Sequence, residues 1–131
     1  AYPAELSGGM RKRVALAQLL IYRPATLLMD EPFGALDAQL KLLMQEELLA
    51  IWAAGGQTVV FVTHDLAEAV TLASRVIVFS GRPGRIKAVE TVALPYPRDV
   101  FRVRFTPEFE ASYGRLWDAL APEIRRREDA A

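Results

Sequence analysis

The stretch Thr26-Leu27-Leu28-Met29-Asp30-Glu31-Pro32 decides how this chain is read. An uncharged, largely apolar run meets two carboxylates and a proline, so the run reads as a short buried strand with both acids at its C-terminal end, feeding a loop. Thr58 to Val62 repeats the signal with β-branched and aromatic residues and closes on Thr63-His64-Asp65. Between these runs, Asp37 can cap a helix in which Leu40, Leu43, Met44, Leu48 and Ile51 form an apolar stripe, and Gly55-Gly56 stops it. Leu66 to Ala73 supplies a shorter helical pattern, and Arg75 to Ser80 a third strand signal. Apolar strands without polar alternation, separated by helices, predict an α/β fold in which one parallel sheet is flanked by helices.

Upstream, Ser7 is a good N-cap for a helix over about residues 8 to 22, with Val14, Ala17, Leu20 and Ile21 at helical spacing until Pro24 forbids continuation. Downstream, Gly81-Arg82-Pro83-Gly84 is a turn into Ile86 to Ala93, which predicts an antiparallel β-hairpin at the sheet edge. An extended linker from Pro95 to Pro97 leads to Thr106-Pro107, the start of a helix carrying Phe109, Tyr113, Leu116, Trp117 and Leu120. The expected organisation is a main body over residues 1–93 followed by an extended linker and helical C-terminal tail over 94–131.

A chain of 131 residues, 52% hydrophobic and 24% charged, has the composition of a folded domain rather than of a disordered segment. Sixteen basic residues balance sixteen acidic ones, so no global field favours nucleic acid, and none is expected as a partner. With no cysteine and a single histidine, thiolate zinc sites, disulfide scaffolds and histidine-rich metal centres are excluded. No apolar run approaches the ~20 residues of a membrane-spanning helix. Ala1-Tyr2-Pro3 runs directly into a motif without an initiator methionine, which leads us to expect that the first half of a longer unit is missing.

In open α/β sheets ligands sit beyond the carboxyl ends of the parallel strands, and Asp30, Glu31 and His64 all fall there. Asp30 offers a carboxylate to a hard cation such as magnesium, and Glu31 can act on water as a general base. His64 can donate to a phosphate or orient that base. Ser7-Gly8-Gly9 places a hydroxyl and unobstructed backbone amides at the positive end of a helix dipole, which is an anion site. Taken singly, each has a plain structural reading as a cap, a solvated loop or a turn histidine.

Taken together, their order and separations resemble a known family. Leu6-Ser7-Gly8-Gly9-Met10-Arg11-Lys12-Arg13 resembles the signature motif of ATP-binding cassette (ABC) ATPases. Leu27 through Asp37 is similar to their Walker B strand, catalytic glutamate and D-loop in succession, and Thr63-His64-Asp65 to their switch histidine. The resemblance implies a P-loop NTPase-type fold and ATP with Mg2+ as ligands. It implies Asp30 near the magnesium, Glu31 as general base and His64 on the γ-phosphate. Ser7, Gly8 and Gly9 would clasp the nucleotide of the opposite subunit in a head-to-tail dimer, with Asp37 communicating across the interface.

The context His64-Asp65-Leu66-Ala67-Glu68-Ala69, the Gly81-Arg82-Pro83-Gly84-Arg85-Ile86 turn and Leu94-Pro95-Tyr96-Pro97-Arg98 are similar to the nitrate, sulfonate and taurine importer branch, where Met10 also replaces the usual glutamine. The implied partners are a second copy of the subunit, transmembrane permease subunits and, indirectly, a periplasmic solute-binding protein. The implied place is the cytoplasmic face of the inner membrane, bound peripherally. The pattern departs from the family in two respects, Met10 at the usual glutamine and, more severely, the lack of any Gly-x-x-x-x-Gly-Lys-Ser/Thr, upstream aromatic for adenine or Q-loop glutamine, so the chain is expected to be inactive alone. Two other readings are a repair or chromosome-maintenance ATPase of the same superfamily and a non-catalytic interaction module. Arg125-Arg126-Arg127, flanked by Glu123, Glu128 and Asp129, reads as a solvated helix face, and no chemistry is assigned after residue 93.

Overall fold

The computed structural model describes residues 8–130. Its elements run α1 (Gly8–Tyr22), β1 (Thr26–Asp30), α2 (Ala38–Gly55), β2 (Thr58–Val62), α3 (Leu66–Leu72), β3 (Arg75–Phe79), β4 (Ile86–Thr91), a 3-10 turn (Val103–Phe105) and α4 (Pro107–Ala130). The chain forms two compact units: one runs to His64 and takes in Asp99–Phe101, and the other comprises Asp65–Arg98 and the chain from Arg102 onward.

In the first unit β1 and β2 pair in parallel, with Leu28 opposite Val60 and Asp30 opposite Val62, and α1 packs beside α2. Asp37 caps α2 by accepting a hydrogen bond from the Leu40 amide at 2.8 Å. At the other end Gly56 takes a left-handed conformation, φ +65°, which glycine adopts without steric cost, and its amide closes the helix on the Trp52 carbonyl. Leu27, Met29, Phe33, Met44 and Leu48 are buried here, with Gln45 among them.

In the second unit β3 and β4 form an antiparallel hairpin, Arg75 opposite Thr91 and Val78 opposite Ala88. Val70, Val78, Val92, Leu94, Val103, Phe109 and Leu116 make its core. Helix α4 contributes through the spacing of Phe109, Leu116 and the half-buried Tyr113 and Leu120, which places them on one stripe. Arg98 is buried beside this core and donates to the Val70, Thr71 and Ala73 carbonyls at the end of α3 and to the Leu94 carbonyl, while its guanidinium lies 3.9 Å from the Tyr96 ring centroid. Desolvation lowers the Arg98 pKa against the opposing influence of Tyr96.

Three expectations are corrected. The strands do not form one parallel sheet: only β1 and β2 pair in parallel, and among the described residues β3 pairs with β4 alone. The antiparallel hairpin expected at the Gly81–Gly84 turn is present, a local pairing that little chain entropy opposes. Nor are the strands buried on both faces. Leu27 and Met29 are covered, but Leu28 between them is 79% exposed and Val60 and Val62 share its face. The helical stripes also shift: Val14, Ala17 and Ile21 of α1 are exposed while Leu16 is buried, and Trp117 of α4 is 46% exposed. Among the described residues no helix is long and apolar enough to cross a membrane.

Candidate functional site

The C-terminal ends of β1 and β2 carry the acid pair and the histidine because the two strands run in register, Asp30 level with Val62. One residue beyond β1, Glu31 donates its amide to the Val62 carbonyl at 2.7 Å, which extends the pairing past the strand end. Two residues beyond Val62 stands His64. The outcome is a short contact: Nδ1 of His64 lies 2.5 Å from Oε1 of Glu31. Both side chains are open to solvent, His64 at 81% and Glu31 at 46%.

The backbone at Glu31 is held in the left-handed region, φ +44°, which a residue with a Cβ enters at a cost of about 1–3 kcal/mol. Surrounding contacts enforce it. The Glu31 carbonyl accepts from Gly34 at 3.3 Å, and Leu36 donates to Phe33 at 3.1 Å. Phe33 is 1% exposed and packs against Phe61 of β2 with ring centroids 5.7 Å apart. The loop is thus anchored by a buried aromatic, while its first residue presents a carboxylate outward. The sequence singles out Glu31 and His64 but shows neither the left-handed backbone nor the Phe33 anchor, whose one signal is a large aromatic in the short loop between β1 and α2.

With Nδ1–H donating to the Glu31 carboxylate, Nε2 of His64 is the ring atom left for another partner. Asp30 is exposed at the end of β1 beside the pair. Among the described residues no three acidic or imidazole groups converge to hold a metal unaided. A magnesium ion that keeps most of its waters and the phosphate oxygens of a substrate asks the protein for only one or two carboxylates, which Asp30 can supply. Asp37 is engaged at the start of α2, and Asp65 caps α3 by accepting from the Glu68 amide at 3.2 Å. Gly8 and Gly9 open α1; Ser7 lies outside the described residues.

Comparison with known proteins supplies an independent line. The family model described as ABC transporter matches residues 1–34. A putative ATP-binding protein of Brucella melitensis is 51% identical over 120 residues, covering 92% of this chain and 50% of the relative. An ABC transporter ATP-binding protein of Methanocaldococcus jannaschii is 52% identical over 105 residues, 80% of this chain and 39% of the relative. An aliphatic sulfonates import ATP-binding protein of Bacillus cereus is 51% identical over 98 residues, 75% of this chain and 39% of the relative. The chain spans about half the length, or less, of the curated relatives it matches.

Proposed function

Starting from kinship with the ABC transporter ATP-binding proteins, we propose that this chain is the part of an importer's ATP-hydrolysing subunit that carries the signature, the Walker B carboxylates, the D-loop and the switch histidine. The observation that carries the reading is the 2.5 Å contact between Glu31 and His64 across the ends of two parallel strands. In it Glu31 takes the proton of the attacking water, and His64 orients the carboxylate through Nδ1 while Nε2 meets the terminal phosphate. Asp30 would hold magnesium, largely through water. When bound, that ion neutralises charge on the phosphates.

Ser7, Gly8 and Gly9 would serve the nucleotide of a second subunit, and Asp37 the interface between the two. The remaining machinery of a P-loop NTPase fold would come from outside this sequence. In the cell the subunit would sit on the cytoplasmic face of the inner membrane against permease subunits fed by a solute-binding protein. The transported solute would be a small anion such as nitrate, a sulfonate or taurine; the sulfonate assignment draws on the Bacillus cereus relative.

The test is Glu31→Gln in the full-length protein, assembled with its permease. ATP binding should persist while turnover falls by at least about a hundredfold, because the substitution removes a base and no phosphate contact. Wild-type turnover in that variant would overturn the assignment. His64→Ala should stall turnover as well.

A further inference from the structure

Two arginine-bearing segments that lie far apart in sequence border one concavity. The turn between β3 and β4 brings Arg82 and Arg85, the last turns of α4 bring Arg126 and Arg127, and between them opens a concavity of about 1070 Å³ floored partly by Phe79 and Ile124. All four arginines are exposed, and the two apolar side chains are 59% and 38% exposed. One buried carboxylate holds the walls together. Glu123 accepts from the Gly81 amide at 2.8 Å and from Lys87 Nζ at 3.0 Å, and lies 3.5 Å from Arg126. That commits Lys87 and leaves Arg82, Arg85 and Arg127 without a carboxylate partner among the described residues.

We propose that this concavity is a docking surface for an acidic peptide segment of a partner protein, one that places two or more carboxylates around an apolar anchor. A small tetrahedral anion fits it poorly. Such ions are cradled by free backbone amides, and here the Gly81 amide is taken by Glu123 and the Arg85 amide by the Ser80 hydroxyl at 3.1 Å. What remains is a set of exposed arginines from two segments, Arg82, Arg85 and Arg127 among them, lining the concavity together with the exposed apolar side chains of Phe79 and Ile124. Guanidinium groups favour planar, bidentate pairing with carboxylates, and an apolar anchor seated at the centre with charges at the rim is how peptide interfaces divide affinity from specificity. The sequence hides this surface, because Arg125-Arg126-Arg127 taken alone looks like a solvated helix face and its partners stand some forty residues earlier.

The experiment measures fluorescence anisotropy of the full-length protein with labelled peptides that flank a leucine or phenylalanine with glutamates, and with the same peptides carrying lysine for glutamate. The acidic peptides should bind, more weakly as salt rises, and the lysine peptides should not. The double variant Arg82→Glu/Arg127→Glu should weaken binding by about tenfold or more, and Phe79→Ser should weaken it too. Arg125→Glu, a charge change of the same kind beside but outside the concavity, should leave binding within about twofold. Circular dichroism and thermal melting confirm that each variant is folded; where the double variant fails to fold, Arg82→Gln and Arg127→Gln are compared singly with Arg125→Gln. Absence of acidic-peptide binding would overturn the proposal, as would equal weakening by Arg125→Glu. Tighter capture of inorganic phosphate, a short RNA or phosphatidylserine vesicles through the same arginines would likewise overturn it.

Discussion

At Glu31 chemistry and conformation pull in different directions. The carboxylate faces His64, while the backbone sits at φ +44°, where glycine would be at ease. Replacing Glu31 with glycine should therefore leave stability unharmed or raise it by up to about 1 kcal/mol, since the contact with His64 that is lost is solvent-exposed and contributes little. Chemical denaturation checks this, and a loss above about 1 kcal/mol would show that the side chain, not the backbone, stabilises the loop. That Glu31 and His64 meet at one edge was legible in the sequence, because each follows an apolar run and parallel strands in register end side by side. The left-handed backbone was not. Its residue type does not announce it; the conformation is held where the Glu31 amide reaches the Val62 carbonyl on the other strand and the Glu31 carbonyl accepts from Gly34.

Helix α3 shows how a short element is made to persist. Seven residues cannot hold a helix in water unaided, so both ends are tied: Asp65 accepts from the Glu68 amide, and Arg98 gathers the last carbonyls. Arg98→Met keeps much of the apolar bulk but strands those carbonyls, and it should cost about 2–4 kcal/mol, with hydrogen exchange rising first in residues 66–72. Unchanged exchange there would remove Arg98 from this role. The hairpin and α4 are tied by Glu123, whose carboxyl is held below the usual range mainly by the Gly81 amide and then by Lys87. A lowered folded-state pKa contributes stability above the unfolded value, and that contribution is lost as acidification passes through the folded value. Unfolding followed below about pH 4.3 should therefore show the wild type losing stability that Glu123→Gln does not lose in that window. Parallel curves would remove Glu123 as the cause. The sequence revealed these elements through caps and spacing, and its Gly81–Gly84 turn marked the antiparallel hairpin that β3 and β4 form; what apolar content could not show is that β3 does not also pair with β1 or β2 among the described residues.

For the whole molecule the balance of sixteen positive and sixteen negative charges matters, since it leaves no net repulsion between copies. Against that neutrality stands the uncovered face of the β1–β2 sheet, with Leu28, Val60 and Val62 in a row. The isolated 131-residue chain should self-associate reversibly at micromolar concentration, and Leu28→Lys should shift it toward monomer in light scattering. A monomeric wild type at such concentrations would contradict this. The same isolated chain should show no ATPase activity above background, because the lysine and amide cradle that neutralises phosphates is not in its sequence. Sustained hydrolysis by the purified chain would refute that expectation.

The side-by-side pairing of Leu28 and Val60 also sets a limit on solitary life. A bare apolar ribbon is what chaperones and proteases sample when they sort chains, so the 131-residue chain produced on its own should be cleared sooner than the same chain with that face covered. A lysine at position 28 should lengthen its half-life even though it adds no contact to the fold.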